Sequence, residues 1–418
     1  MFVLYEVALY LVFLVTAPFF LLTGFLRGKY LSNFPERMGF YRSRAAEHDL
    51  WLHAVSVGET LAAKSVVDEI VRQRPGTSLV VTTTTITGQA QARRLYPHAT
   101  VTYFPFDFAF AVKRFLAQHR PRVFATMETE IWPNVTRLAR ERGLRLLLAN
   151  GRISDRSLPR YRALRLVVGA ILRRYDRILA REETDRQRFV AIGAPESIVE
   201  ISGNVKFDYE PDLAPLEIAP QLERLIAGRK VLILGSTMEG EDELLLPLVE
   251  RFIADENAFV IVAPRKAERF EVVAALLAAT DIRFVRRTEI DSAASASADL
   301  LLLDSFGELA KSYRYASAAF VGGTLAPFGG HNPIEPAAAG VPVCFGKSMS
   351  NFREIAQVFL RNDAAVEVSS AEEVLAFAAR MFRDDAARHG IGERARETVL
   401  QNRGASERTA RAIVGLLA

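Results

Sequence analysis

Three carboxylates and one lysine stand where acid–base chemistry could use them. Glu59 closes Ser56-Val57-Gly58-Glu59, between a β-branched run and an amphipathic stretch, and so falls at or near a helix start. A carboxylate there is favoured by the helix dipole; the same place also lets it accept a proton from a substrate hydroxyl. Glu128 and Glu130, in Met127-Glu-Thr-Glu-Ile-Trp-Pro-Asn134, again put acids at a strand end, with Pro133 suited to the first helical position. They are the nearest approach to a carboxylate pair, but alternate acids alone do not define a metal site. Lys206 lies in a loop of a chain with only eight lysines among its 53 basic residues. A compact ammonium rather than a guanidinium is wanted at such a place.

A second group suits a phosphate or a nucleotide. Gly235-Ser236-Thr237 follows a strand and is expected to open a helix, a turn able to cradle phosphate. Pro264-Arg265 ends the next strand with a guanidinium, and Gly307-Glu308-Leu309 follows Leu300–Asp304. The most specific stretch runs from Phe320 through Gly329-Gly-His-Asn332-Pro333-Ile334-Glu335-Pro-Ala-Ala-Ala-Gly340. Asn332 can cap, Pro333 suits the first helical position and Gly340 ends the helix. Free N–H groups at that start suit a phosphate, and Glu335 could accept from ribose hydroxyls. Two further stretches stay open: the threonines 82–87 as a polar-ligand loop or an N-cap, and Asn150-Gly151-Arg152 as an anion loop or a surface turn.

These loops need a frame that places strand ends together. Short β-branched runs alternate with amphipathic stretches: Leu50–Val55, Leu79–Thr83, Val101–Phe104, Val123–Met127, Leu144–Ala149 and Arg177–Ala180, then Val231–Leu234, Phe259–Val262, Ile282–Val285, Leu300–Leu303, Ala318–Val321 and Val341–Phe345. Thr60–Arg74 carries a helical apolar period. Such alternation implies α/β architecture with parallel sheets, and two Rossmann-like domains around a crevice. The expected limits are 1–26 for a membrane anchor, 27–207 for the first domain, 208–220 for a linker with three prolines and four acids, and 221–418 for the second.

Val7 to Leu26 is uncharged and long enough to cross a bilayer core. Arg27, Lys29, Arg37, Arg42 and Arg44 follow, so the positive-inside rule puts the rest of the chain in the cytoplasm. A cleaved signal peptide and a buried core helix are the rival readings; a basic leading region is missing, and Pro18 and Gly24 suit lipid better than a soluble helix.

Composition narrows the classes. One cysteine excludes a disulfide framework, and six scattered histidines lack metal-ligand spacing. The net charge of +4 is not gathered into the basic runs of a nucleic-acid binder. Neither G-x-G-x-x-G nor a Walker sequence occurs, and no Asp-x-Asp is present to hold a nucleotide through a divalent cation.

In order along the chain, HAVSVGE, TTTTITG, YFPFD, METEIWPN, NGRISDRS, GNVKFD, GSTMEGE, APRK, GEL and FVGGTLAPFGGHNPIEPAAAGVPV resemble the 3-deoxy-D-manno-octulosonic acid (Kdo) transferases of lipopolysaccharide biosynthesis. The resemblance implies a GT-B fold, two Rossmann-like domains facing a cleft, with an N-terminal hydrophobic anchor. It implies inverting transfer of Kdo from the co-substrate CMP-Kdo to lipid IVA at the cytoplasmic face of the bacterial inner membrane, with no metal and no other cofactor. It gives Glu59 the general-base role, and Glu130 and Lys206 the stabilisation of the transition state. Pro264, Arg265, Gly307, Glu308, Leu309, Asn332, Pro333, Ile334 and Glu335 become CMP contacts. Thr324, where Ser is common, and Phe328 depart from the family pattern. A nucleotide-sugar epimerase of the same fold and a non-catalytic, membrane-tethered nucleotide-sugar sensor are the alternatives; the anchor speaks against the first, the acids with Lys206 against the second.

Overall fold

The computed structural model describes residues 2–27, 33–41, 45–211, 214–291 and 297–418; Lys29, Arg42 and Arg44 of the basic flank lie outside them. The chain forms two compact units, residues 1–208 with 403–418, and residues 209–402.

Unit 1 is built on a seven-stranded parallel sheet. Its strands are β1 (His48–His53), β2 (Leu79–Thr83), β3 (Thr100–Tyr103), β4 (Pro121–Met127), β5 (Arg145–Gly151), β6 (Arg177–Ala180) and β7 (Val199–Ile201), in the order β3-β2-β1-β4-β5-β6-β7. The strands are apolar on both faces because helices cover both. Leu50 and Leu52 of β1 join one core, and Trp51 between them joins the other. The strand order reverses between β1 and β4, which is where an open parallel sheet leaves room for a ligand.

Unit 2 repeats the plan with β8 (Val231–Thr237), β9 (Phe259–Pro264), β10 (Phe284–Arg286), β11 (Leu300–Leu302), β12 (Ala318–Val321), β13 (Val343–Gly346) and β14 (Ala365–Val368), all parallel, in the order β10-β11-β9-β8-β12-β13-β14. Its reversal falls between β8 and β12.

The expected domain limits need two corrections. Leu216 and Ile218, assigned to a linker, are buried in the core of unit 2. The last helix, Ala405–Leu417, assigned to the second domain, packs on helix Val57–Gln73 of unit 1, and Ala405, Ala410, Ala412, Ile413 and Leu417 enter that unit's core. Asp208 marks the return: its carboxylate accepts the N–H groups of Gly404 and Ser406.

The N-terminal helix spans Phe2–Arg27, and Phe2–Phe19 is long and apolar enough to cross a membrane by length and composition. Val3, Leu4, Leu14 and Val15 are more than 70 % exposed, so it is not a buried core helix. Phe2, Tyr5, Glu6, Leu9, Phe13 and Thr16 are less exposed than their neighbours, at the spacing of a single helical face.

Candidate active site

In unit 1, β1 runs out through Ala54 and Val55 to Ser56, which caps helix Val57–Gln73. Ser56 Oγ accepts the Glu59 N–H at 3.4 Å, while the Glu59 carboxylate accepts the Val55 N–H at 2.8 Å and the Ser56 hydroxyl at 3.1 Å. Ser56 is thus the N-cap, and Glu59, three residues on, reaches back past it to Val55, so the helix-start reading of Glu59 holds as a structural fact. It does not make the residue an ordinary cap. Burial, with the charges of Glu128 and Glu130, lifts the Glu59 carboxyl to about 7 against the pull of those hydrogen bonds.

The two acids reach Glu59 from the end of β4, the neighbour of β1 at the point where the strand order reverses. Glu128 holds a left-handed backbone at φ 58°, and its N–H donates to Ala149 O at 2.8 Å. Strain of that kind in a non-glycine residue concentrates at functional sites. Arg181, itself buried, donates to the Glu128 carboxylate at 2.6 Å and to Asn150 O at 3.2 Å. Glu128 is therefore an anchored charge, while Glu130 has its carboxyl raised by burial and by Glu128.

Lys206 lies in a 3₁₀ turn, Val205–Asp208, packed against helix Val57–Gln73. The Val205 N–H donates to Asn150 Oδ1 at 3.3 Å, which ties this turn to the end of β5. Asn150 is thus buried within the end of β5 and is not a surface turn. Likewise Thr85 is an N-cap, accepting the Gly88 N–H at 3.0 Å. Unit 1 therefore brings the loops of Glu59, Glu130 and Lys206 to one end of one sheet.

Two residues that the pattern did not single out hold these loops. Asp107 of YFPFD is buried and accepts the N–H groups of Asn134 at 3.0 Å and Val135 at 2.7 Å, capping from a distance the helix Pro133–Glu141 that follows Glu130. Burial raises its carboxyl to about 6. In unit 2, Glu241 is buried and accepts four N–H groups: Gly323 (2.6 Å), Thr324 (2.8 Å), Leu325 (2.9 Å) and Met238 (3.0 Å). It locks the glycine-rich loop after β12 onto the turn after β8.

That turn differs from expectation. β8 continues to Thr237 through a bulge at Ser236 (φ 55°), and the helix starts only at Glu241. Gly322 rests directly on it: a Cβ at 322 would stand 2.4 Å from Ser236 O. Packing, not an open phosphate cradle, explains these small residues.

The remaining predicted contacts of unit 2 gather at the same sheet end. The Arg265 N–H donates to Thr237 O at 3.0 Å, and its exposed guanidinium is near enough to Glu335 and His331 to act on both carboxyl and imidazole. Burial first, then Arg265, brings His331 down to about 4; burial raises Glu335 against Asn332 and Arg265. Asn332 Nδ2 donates to Glu335 Oε1 at 3.2 Å, and Asn332 Oδ1 accepts the Ile334 N–H at 3.1 Å. Asn332 still serves the helix start, but Pro333 stands at the N-cap rather than at the first helical position expected of it, and the helix covers only Ile334–Ala338, so it offers fewer free N–H groups than anticipated. Glu308 pairs with Arg287 at 2.7 Å and bonds Ser305, which lowers its carboxyl; Gly307 beside it is left-handed (φ 85°), and Leu309 packs on the core. The Glu308 side chain is thus engaged, and the Gly307-Glu308-Leu309 turn is left to present backbone. Among the described residues, no group of three or more His, Cys, Asp and Glu could hold a metal ion.

The family model of 3-deoxy-D-manno-octulosonic-acid transferase (kdotransferase) matches residues 32–209, which contain every strand of unit 1. The match extends well past that half. The chain is 32 % identical to the 3-deoxy-D-manno-octulosonic acid transferase of Haemophilus influenzae over 91 % of this chain and 90 % of that protein. It belongs to the Kdo transferase family. The enzyme of that name from Bordetella pertussis is 34 % identical over 90 % of both chains. A solved glycosyltransferase from Rickettsia africae aligns with 88 % of this chain and 98 % of its own at a TM-score of 0.56 and 12 % identity, a likeness of fold alone. This family member thus carries the paired Rossmann-like units of GT-B glycosyltransferases.

Proposed function

We propose that this Kdo transferase moves Kdo from CMP-Kdo to the lipid A precursor lipid IVA, with inversion and without a metal, at the cytoplasmic face of the inner membrane. The observation that carries the mechanism is Glu59, a carboxyl held near 7 by burial and two neighbouring acids at a sheet reversal. As carboxylate it takes the proton of the acceptor hydroxyl while that oxygen bonds to the anomeric carbon of Kdo; the bond from that carbon to the CMP phosphate oxygen breaks, and CMP leaves with the electron pair. A base titrating near the working pH balances basicity against the fraction ionised. Glu130 and Lys206 act on charge that develops in the transition state, Lys206 as a cation for the Kdo carboxylate or the departing phosphate.

Unit 2 takes the nucleotide. Arg265 supplies a guanidinium for phosphate, Glu335 and Asn332 accept from or donate to ribose hydroxyls, and Gly307-Glu308-Leu309 offers backbone to the base. Pro264, Pro333 and Ile334 shape the surrounding turns. The acylated acceptor accounts for the apolar N-terminal helix, since a lipid substrate stays in the bilayer while its sugar is modified. Incubation of the purified protein with CMP-Kdo and lipid IVA tests this reading. Transfer of Kdo to the lipid, with release of CMP, is expected; sugar isomerisation without a lipid product, or nucleotide binding alone, would overturn it.

A further inference from the structure

The apolar N-terminal helix does more than hold the chain at a membrane. Its first turns are fastened to unit 1: the Tyr5 hydroxyl donates to Asp107 Oδ2 at 2.8 Å, and the Glu6 carboxylate accepts from the Ala109 N–H at 3.0 Å and from Asn134 Nδ2. Asp107 and Asn134 are the residues that fix the helix following Glu130. One turn further on, Tyr10 and Phe13 pack on the Phe108 ring at centroid distances of 5.1 and 5.3 Å. Alongside this seam a cavity of about 250 Å³ lies between the helix and the unit. Leu9, Val12 and Phe13 form its wall on the helix; Phe104, Phe106 and Trp132 form the wall on the unit.

We infer that this cavity receives a fatty-acyl chain of the lipid acceptor, an inference that rests on the acceptor being a lipid. Three observations select that occupant. The cavity borders the loops of the reaction site: Phe104 and Trp132, which line it, meet at 5.2 Å, Phe104 stacks on His53 at the end of β1 at 3.8 Å, and Trp132 is two residues from Glu130. Its helical wall is apolar on the outer side too, where Val3, Leu4, Val7, Leu11 and Val15 are exposed, so a chain reaches the cavity from a bilayer along apolar surface. Arg37 lines the same cavity; its guanidinium lies over the Tyr103 ring at 4.5 Å and donates to Thr84 O, and among the described residues it forms no ion pair. A half-buried cation beside an apolar cavity matches an amphiphile with an anionic head.

Two labelled lipids test this on the full chain in bilayers: lipid IVA with a photoreactive diazirine at an acyl end, and a phospholipid with the same group. Illumination is expected to attach the acceptor chain to peptides containing residues 5–16 or 104–108. Val12→Trp fills the cavity from an exposed helix position, whereas Val15→Trp, on the outer side, serves as control. Each excluded methylene is worth about fourfold in affinity, so loss of two or three should raise the acceptor KM at least tenfold in Val12→Trp. The KM for CMP-Kdo, the melting temperature and the behaviour of Val15→Trp should not change. Label elsewhere, equal labelling by the phospholipid that the acceptor fails to displace, or an unchanged acceptor KM in Val12→Trp would overturn the assignment. Absence of transfer by the wild-type protein would overturn the proposed reaction instead, while cavity labelling by the acceptor would still stand.

Discussion

Glu59→Gln separates two roles that the structure gives to one carboxyl. The helix start needs an oxygen to accept the Val55 N–H and a polar partner for Ser56, and an amide provides both. The amide cannot take a proton from a hydroxyl, so turnover should fall by roughly 10²–10⁴. Stability should move the other way. Between pH 4.5 and about 7 the folded protein keeps a proton on Glu59 that the unfolded chain has released. Stability therefore declines as pH rises through that window, and the cost is complete above it. At roughly 1.4 kcal/mol per pH unit, the charged carboxylate costs the fold up to ~3 kcal/mol. Glutamine removes that cost, and in a unit of this size each kcal/mol is worth about 2–4 °C in melting temperature. The variant should thus melt several degrees higher than wild type at pH 8 and match it near pH 4.5, while the acid limb of the wild-type rate profile falls near pH 7. Turnover, CMP affinity and melting curves at both pH values, on one preparation, decide the matter. Near-native turnover with a lowered melting temperature at pH 8 would refute the base and leave only the cap.

Glu241→Gln should disorder the loop after β12, because one amide oxygen cannot replace two carboxylate oxygens that accept four N–H groups; unpaired buried donors cost about 1–3 kcal/mol each, and calorimetry with CMP titration should show both lower stability and weaker binding. Arg265→Ala removes an exposed cation and should leave melting unchanged while weakening CMP about tenfold or more; Glu335→Ala should weaken it similarly, and unaltered affinity in both would move the nucleotide elsewhere. Activity should persist in excess EDTA, and a loss reversed by Mg²⁺ or Mn²⁺ would return Glu128 and Glu130 to consideration as metal ligands.

The frame was legible because buried parallel strands write themselves as β-branched runs between helical periods. Two strands escaped, β7 (Val199–Ile201) and β14 (Ala365–Val368), and both are short edges with polar or exposed positions, which carry little period. Glu59 was legible by place but not by protonation, since its neighbours arrive from β4, some seventy residues away in the chain. Glu241 was hidden for a related reason: in Glu241-Asp242-Glu243 any acid suits a helix start, and only the fold shows which one receives the loop after β12. The Gly235-Ser236-Thr237 turn misled, because small residues serve close packing as well as they serve phosphate. The last helix shows an apolar stripe in sequence, but a stripe does not say which sheet it covers.

That return of residues 403–418 to unit 1 has a consequence for synthesis. On the ribosome the first unit emerges without the helix that covers Val66, Ile70 and their neighbours, and must wait until the whole of the second unit has been made. At about 5–20 residues per second, that delay is on the order of 10–40 s, with an apolar sheet face open and the apolar N-terminal helix already out. The half that carries Glu59 is thus completed only after the whole of the second unit, by residues 403–418. A chain released within the second unit therefore carries the Glu59 loop on a first unit whose core still lacks Ala405, Ala410, Ala412, Ile413 and Leu417, so incomplete products never hold a finished first half.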